Sequence, residues 1–262
     1  MRLLLALLAC ATMLPAQWLN LPTRGVPRTK DGKPNLSAPA PRAANGKPDF
    51  SGIWALEHPP CPPEGCGDYL GGPEFLNMGV HLPGGLPYQP WAAELVKKRS
   101  ADQGRDDPVA QCLPSGVVRI LTFPPPRKIV QTPEEIVILS ERDVTFRQIH
   151  TDGRPLPVDP SPSFNGFSVG KWEGDTLVVQ TIGLRDTWID RNGSPITEAA
   201  KLTERFRRVN YGRLEIELTV DDPKAYTKPW TVTLKQEIVL NTELLDYYCN
   251  DNEKDAQHVS AK

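Results

Sequence analysis

The sequence has no long run of like charge and no strong excess of either sign. Its formal net charge is −2 over 262 residues. Proteins that bind phosphate backbones or anionic lipid surfaces usually carry clustered Lys and Arg. We therefore predict no nucleic-acid partner.

A second absence is that of any long apolar segment beyond the N-terminus. The first apolar run follows Arg2 and ends at Leu14, so it is shorter than the roughly 20 residues that a membrane span needs. This layout is typical of a secretory signal peptide, and we predict cleavage after Ala16. The expected location is secreted or periplasmic, with no membrane span. A lipid anchor at Cys10 would leave an unusually short signal, so we do not predict one.

Cysteine is scarce, with five residues, one of them in the predicted leader. An even number in an exported chain favours disulfides, because the compartment is oxidising. We predict the pairs Cys61–Cys66, across a Pro-Pro-Glu-Gly spacer, and Cys112–Cys249. The thiols of the first pair also have a spacing that a metal site can use, but no paired His motif accompanies them. We therefore predict no metal site.

Several enzyme signatures are missing. The sequence contains no Gly-x-Ser-x-Gly elbow, phosphate-binding loop, dinucleotide fingerprint or Cys-x-x-Cys-His haem motif. Without these motifs, the sequence gives no reason to assign the protein to the common nucleophile-elbow hydrolases or to the nucleotide enzymes. We predict no cofactor.

Proline and glycine are plentiful, with 28 and 20 residues. Turn signals crowd residues 17–89, so we predict an extended arm that contains a first strand near 50–56. Inside this arm the phrase PRTKDGKPNLS returns as PRAANGKPDFS. The repeat predicts two similar turns, each placing one apolar residue, Leu36 or Phe50, on a shared surface.

One helix is predicted over residues 90–104. Pro90 suits a first turn, and Gly104 is a stop signal. Trp91, Leu95 and Val96 form an apolar stripe, so we expect the helix to pack outside the sheet with Trp91 as a core anchor.

Short β-type runs separated by hairpin turns fill residues 112–250, mostly about ten residues apart, before a tail at 251–262. This rhythm predicts a mainly β protein, an antiparallel meander of about eight strands closed into a barrel. In RLEIELTV, apolar residues such as Leu214 alternate with polar ones, so one face of the strand is expected to be exposed to solvent. We read the charged residues around Phe206 in TERFRRV as mostly solvated surface.

The entry to the first strand, Asp49-Phe50-Ser51-Gly52-Ile53-Trp54, resembles the Gly-x-Trp entry of lipocalin-like barrels. This resemblance implies structural roles for Gly52 and Trp54, with Trp54 plugging the closed end. It also implies a late-strand Arg packed over that Trp, a role open to Arg205 or Arg207.

Nearly the whole mature chain also resembles a large group of uncharacterised exported bacterial proteins, through phrases such as FRQIHTDGRPLP, SVGKWEGDTLVV and DDPKAYTKPWTV. This resemblance implies no particular reaction. The chain departs from the group's pattern at Ile196, where a His often stands, and at Phe164, where a Trp is usual.

The strongest candidate catalytic group is His150, Asp152 and Arg154. It offers a proton-transfer group, a carboxylate to orient that group, and a cation for negative charge. The alternative is a solvated Asp-Gly turn.

A second cluster is a candidate ligand site at a barrel mouth, with Trp188 as a stacking face. The alternative is a loop held by its own turns. Glu198 and Glu204 add carboxylates that glycoside chemistry could use. The predicted ligand-binding residues are Arg185, Asp186, Trp188, Asp190, Arg205 and Arg207.

These observations predict an exported β-barrel that binds a small, partly apolar or aromatic molecule. One alternative is an extracytoplasmic hydrolase, lyase or isomerase acting on a carbohydrate or related metabolite. Another is a structural protein of the cell envelope that docks through its arm. The sequence makes no prediction of oligomeric state.

Overall fold

A computed structural model describes residues 21–57 and 72–249. Its centre is a closed barrel of nine strands, and the strands that form it are β1 Gly52–Leu56, β2 Arg127–Gln131, β3 Glu135–Ser140, β4 Thr145–His150, β5 Phe167–Glu173, β6 Thr176–Ile182, β9 Lys201–Arg208, β10 Arg213–Asp221 and β11 Trp230–Ile238. Two further strands, β7 Thr187–Trp188 and β8 Pro195–Ile196, form a separate ribbon. The predicted mainly β barrel is confirmed.

Neighbours in the barrel follow chain order, and β11 closes on β1. All adjacent pairs are antiparallel except β4 and β5, which run parallel, with Ile149 opposite Ser168. The barrel is therefore mainly antiparallel, as predicted, with one parallel pair. The long connection between His150 and Phe167 allows the parallel pairing, which a tight hairpin cannot make.

The helical elements are short. They are the α-helices α1 Pro73–Leu76, α2 Pro90–Ala101 and α3 Gly116–Arg119, and the 3-10 turns Pro108–Gln111, Ile120–Thr122 and Arg142–Val144. Helix α2 lies outside the barrel, with Ala92 as its buried residue. Trp91 is 48% exposed and donates its indole N–H to the carbonyl of Lys224 at 2.8 Å. The prediction that Trp91 anchors the core is wrong.

The repeated phrase of the arm forms the same turn twice. Nη1 of Arg28 donates to the carbonyl of Gly32 at 3.2 Å, and Nη1 of Arg42 donates to that of Gly46 at 3.1 Å. Both glycines have positive φ, 81° and 76°, a region that residues with a Cβ rarely adopt. Arg42 also binds the carboxylate of Asp175 in the β5–β6 turn, with two contacts of 2.6 Å. The second turn is thereby tied to the barrel.

The two turns differ in how their apolar residues pack. Phe50 is buried, with its ring centroid 5.2 Å from that of Trp172. Leu36 stays 42% exposed, although its carbonyl accepts the N–H of Gly212 at 2.8 Å. Of the two apolar residues that the turns were expected to place on a shared surface, Phe50 is therefore buried and Leu36 is partly exposed.

Trp54 of β1 is 1% exposed and belongs to the hydrophobic core. Its indole N–H donates to the carbonyl of Phe50 at 2.9 Å. The guanidinium of Arg208 lies 4.8 Å from the centre of the indole ring and donates to the carbonyls of Asp49 and Tyr211. The arginine over the tryptophan is thus Arg208, and its burial lowers its pKa to about 10.

Candidate functional site

His150 and Asp152 lie near each other in sequence, but they have different partners. The Nδ1 atom of His150 lies 3.5 Å from Oε1 of Glu135, and its ring packs against Phe167 with centroids 5.2 Å apart. The carboxylate of Asp152 instead accepts hydrogen bonds from Nε and Nη2 of Arg154, the shortest at 2.6 Å. The carboxylate beside His150 is therefore that of Glu135.

The ion pair with Arg154 lowers the pKa of Asp152 to about 2, chiefly through the side-chain hydrogen bond. We expect Arg154→Gln to raise the Asp152 pKa toward the ordinary value of 3.8, because the charged form loses its cationic donor. Carbon-detected NMR titration of the carboxyl group measures this change. Arg185→Gln, which removes an exposed Arg elsewhere, is the control and should leave the Asp152 pKa in place. An unchanged value in Arg154→Gln would contradict the pairing.

The predicted ligand cluster around Trp188 is divided between buried and exposed residues. Trp188 is 3% exposed and is covered by the guanidinium of Arg99, 4.4 Å from its ring centre. Arg185 and Asp186 are exposed. The indole face is therefore already stacked in this structure rather than open at a barrel mouth.

Asp190 belongs to the buried part of the same cluster. Its carboxylate accepts hydrogen bonds from the backbone N–H groups of Met78 and Ser194 and from the Ser194 hydroxyl, at 2.6–3.0 Å. Burial raises its pKa, and these hydrogen bonds act in the opposite direction. In this arrangement Asp190 joins the loop before β8 to the segment that follows α1.

Arg205 and Arg207 lie on the outer face of β9. Arg205 pairs with Glu173 at 3.2 Å, and Arg207 pairs with Glu215 at 2.6 Å. Both line an open depression of about 350 Å³ that has a charged surface. Their predicted role in ligand binding stays a prediction.

The barrel interior contains a buried polar network that the sequence analysis placed on the surface. Glu204 is fully buried and accepts from both terminal nitrogens of Arg147. Arg147 also donates to the hydroxyls of Ser168 and Thr181, which bond to each other at 2.9 Å. The reading of Glu204 as solvated charge is wrong, because it shares the inward face of β9 with Phe206.

The segment containing α3 packs into the other end of the barrel. Arg119 in α3 forms a buried two-contact ion pair with Asp107, at 2.6 and 2.7 Å. The carbonyl of Ile120 accepts from the buried Arg127 of β2 at 2.8 Å. Arg127 also donates to the inward-facing Gln236 of β11. Together with the Arg147 network, this packing fills much of the interior with protein side chains.

A groove of about 730 Å³ lies on the β11 side of the barrel. We call it the β11 groove. Its apolar part comes from buried or partly buried side chains of three separate segments, and these are Leu56, Met78, Leu82 and Val232. A volume of this size falls within the range typical of small-ligand sites.

The rim of the β11 groove carries the charged side chains. Glu74 lies 3.3 Å from His81, measured from Oε1 to Nε2, and Glu57 binds Arg213. Lys235 also lines the groove, and within residues 21–57 and 72–249 it has no ion pair. Its neighbour across the strands, Glu215, is paired with Arg207. Among the described residues that line the groove, Lys235 is therefore a cation available to an anionic group.

The sequence analysis did not identify this groove. Its walls come from residues 56–57, 73–82 and 231–235, which are separated in the chain and share no motif. A usable signal is the proline pair Pro59-Pro60 directly after the first strand, since proline limits how far a strand can pair.

In the described ranges, no group of three or more His, Cys, Asp or Glu side chains is arranged to hold a metal ion. Among the helices of those same ranges, none has the length and apolar character to cross a bilayer. The predicted Cys61–Cys66 pair and the leader lie outside the described residues.

No protein-family model matches the chain. No curated protein matches it significantly either. The closed barrel is consistent with a lipocalin-like fold.

Proposed function

We propose that this protein is an exported β-barrel that binds a small, partly apolar or aromatic molecule in the β11 groove. The observation that carries the proposal is the groove itself, with an apolar floor and a charged rim. Ligand sites commonly combine these two features, because apolar contacts supply binding energy and a few polar groups fix orientation. The leader-like N-terminus and the Cys112–Cys249 disulfide support export.

The enzyme alternative receives less support. His150 is not among the residues that line the β11 groove. Its carboxylate neighbour Glu135 lies beside it at the end of the β3–β4 pair, and Asp152 is held by Arg154. A structural protein that docks through its arm would not need the groove, whereas the binding proposal needs the groove to be accessible.

Substitution of Leu82 tests the binding site. We expect Leu82→Trp to reduce retention of the native ligand at least tenfold, because the larger ring occupies the groove. The measurement is mass spectrometry of bound and free fractions after the purified protein is incubated with extract from its own culture. Leu139→Trp, on the outer face of β3, is the matched control and should retain the ligand as the unsubstituted protein does.

Three outcomes distinguish the readings. A compound retained with unchanged mass and lost only in Leu82→Trp supports the proposal. Equal retention by both variants would place the ligand elsewhere and overturn it. Disappearance of a compound together with a new mass would identify an enzyme. Melting temperatures of both variants, measured alongside, show whether each is folded.

A further inference from the structure

Within the described residues, one edge of β11 is only partly paired. β10 pairs with β11 from Trp230 to Glu237, whereas β1 pairs with it only from Gln236 to Ile238. In residues 21–57 and 72–249, positions 230–234 of β11 therefore have a neighbouring strand on one side alone. The uncovered side belongs to the β11 groove, which Thr231 and Thr233 line.

The hydrogen bond at the end of β1 shows which backbone groups face this side. The N–H of Glu57 donates to the carbonyl of Lys235 at 2.8 Å, so the backbone groups of Lys235 point toward β1. The backbone N–H and C=O groups of successive residues in a strand point alternately to opposite sides. The groups of Thr233 and Thr231 therefore point to the same side as those of Lys235. No hydrogen bond joins these groups to another strand in the parts of the chain described.

β1 ends at Leu56, and the sequence that follows is rich in proline. With Glu57 opposite Lys235, residue 59 would stand opposite Thr233 and would have to donate its N–H there. Residue 59 is proline, which has no N–H. Pro60, Pro62 and Pro63 follow in the same segment. The chain's own next residues are therefore poorly suited to pair with this edge.

An unpaired strand edge inside an apolar groove is the arrangement by which some proteins bind extended peptides, which add a strand through main-chain hydrogen bonds. We propose that the β11 groove binds an extended peptide segment that pairs antiparallel with Thr231–Thr233. This inference rests on the proposed function, because it names the ligand class of the same groove.

The groove also indicates which side chains the peptide carries. Directly opposed residues on antiparallel strands point to the same face. The peptide residues opposite Val232 and Leu234 would therefore turn inward, and apolar side chains suit them. The residue opposite Thr233 turns outward and lies diagonal to Lys235, within reach of a long side chain. Glu at that position complements the free charge of Lys235.

The probe is the peptide acetyl-Val-Glu-Val-Thr-Val-amide, with Glu placed opposite Thr233. Its affinity for the full chain is measured by NMR titration, together with amide hydrogen exchange. We expect N-methylation of the Glu residue to weaken binding about tenfold, because it removes the donor to the Thr233 carbonyl. N-methylation of the next residue is the control, since that N–H points away from β11. Equal loss in both peptides would overturn the proposal.

A pair of protein variants repeats the test from the other side. Thr233→Pro and Thr233→Val both remove the hydroxyl, but only the proline removes the backbone N–H that faces the groove. An edge position tolerates proline, because its N–H takes no part in the pairing with β10. We expect the valine variant to bind the peptide normally and the proline variant to lose about tenfold. Equal binding by the two would contradict strand addition.

Hydrogen exchange reports on the edge itself. The Thr231 and Thr233 amides should exchange quickly in the free protein and at least tenfold more slowly with peptide. Slow exchange without peptide would show that the chain already covers this edge, and would overturn the inference. Retention of a culture compound that depends on Leu82, without any peptide binding, would refute the peptide inference and leave the proposed function standing.

Discussion

Replacing Glu204 with Ala is expected to lower the free energy of unfolding by about 3–5 kcal/mol, the range measured when one member of a buried ion pair is removed. Glu204 is fully buried, and the side chain of its partner Arg147 is 6% exposed. Without Glu204, the guanidinium of Arg147 keeps the hydroxyls of Ser168 and Thr181 as its acceptors among the described residues. A buried cation without its counter-charge is costly, and urea denaturation followed by circular dichroism measures the loss.

The matched control is the adjacent residue on the same strand. Arg205 points outward and pairs with Glu173 in an exposed ion pair. Arg205→Ala should therefore change the free energy of unfolding by about 0–1 kcal/mol. Similar losses in the two variants would show that Glu204 does not act through burial. The double substitution Arg147→Met with Glu204→Leu should recover much of the stability, because it removes both charges together.

Removing the disulfide is the second large change. The variant Cys112→Ser with Cys249→Ser should lose about 4 kcal/mol of unfolding free energy, because the bond closes a loop across 137 residues and restricts the unfolded chain. The bond also ties the 3-10 turn at Pro108–Gln111 to the C-terminal segment. That segment also contacts residues at the barrel through Glu243 with Lys128, Tyr247 with Arg142, and the Leu245 N–H with the Glu141 carboxylate. Urea denaturation of oxidised protein measures the loss.

Reduction provides an internal control for this prediction. A reducing agent should lower the stability of the unsubstituted protein toward that of the double variant, and should change the double variant much less. Thiol counting on unreduced, denatured protein gives a separate check. Free thiols at both Cys112 and Cys249 would refute the bond, and a stability unaffected by the double substitution would refute its role.

The barrel was predictable because hairpin spacing and alternation are local properties. In β10, Leu214, Ile216 and Leu218 are all buried, as their period of two predicts. The same rule, applied strictly to β9, places Glu204 and Arg208 on the inward face with Phe206. Reading the charges as solvated surface ignored that rule. The correct arginine over Trp54 follows from it, since Arg205 and Arg207 belong to the outer face.

The candidate sites were less predictable, because their contacts join distant segments. His150 finds its carboxylate neighbour on β3 rather than two residues along the chain. Trp188 is covered by Arg99 of α2, a helix whose position relative to the barrel no local pattern specifies. Residue type alone could identify these side chains as candidates for a functional site. It could not predict whether they are exposed to solvent or already paired within the protein.

The sequence by itself determined the strand rhythm, the two turns of the arm and the entry through Gly52 to Trp54. These features depend on backbone preferences and on period-two alternation, which act over a few residues. Only the tertiary structure decided the parallel β4–β5 pair, the burial of Glu204 beside Arg147, and the groove along the open edge of β11. Closure of the barrel brings those distant residues together, so their burial and pairing depend on the packing of the whole chain.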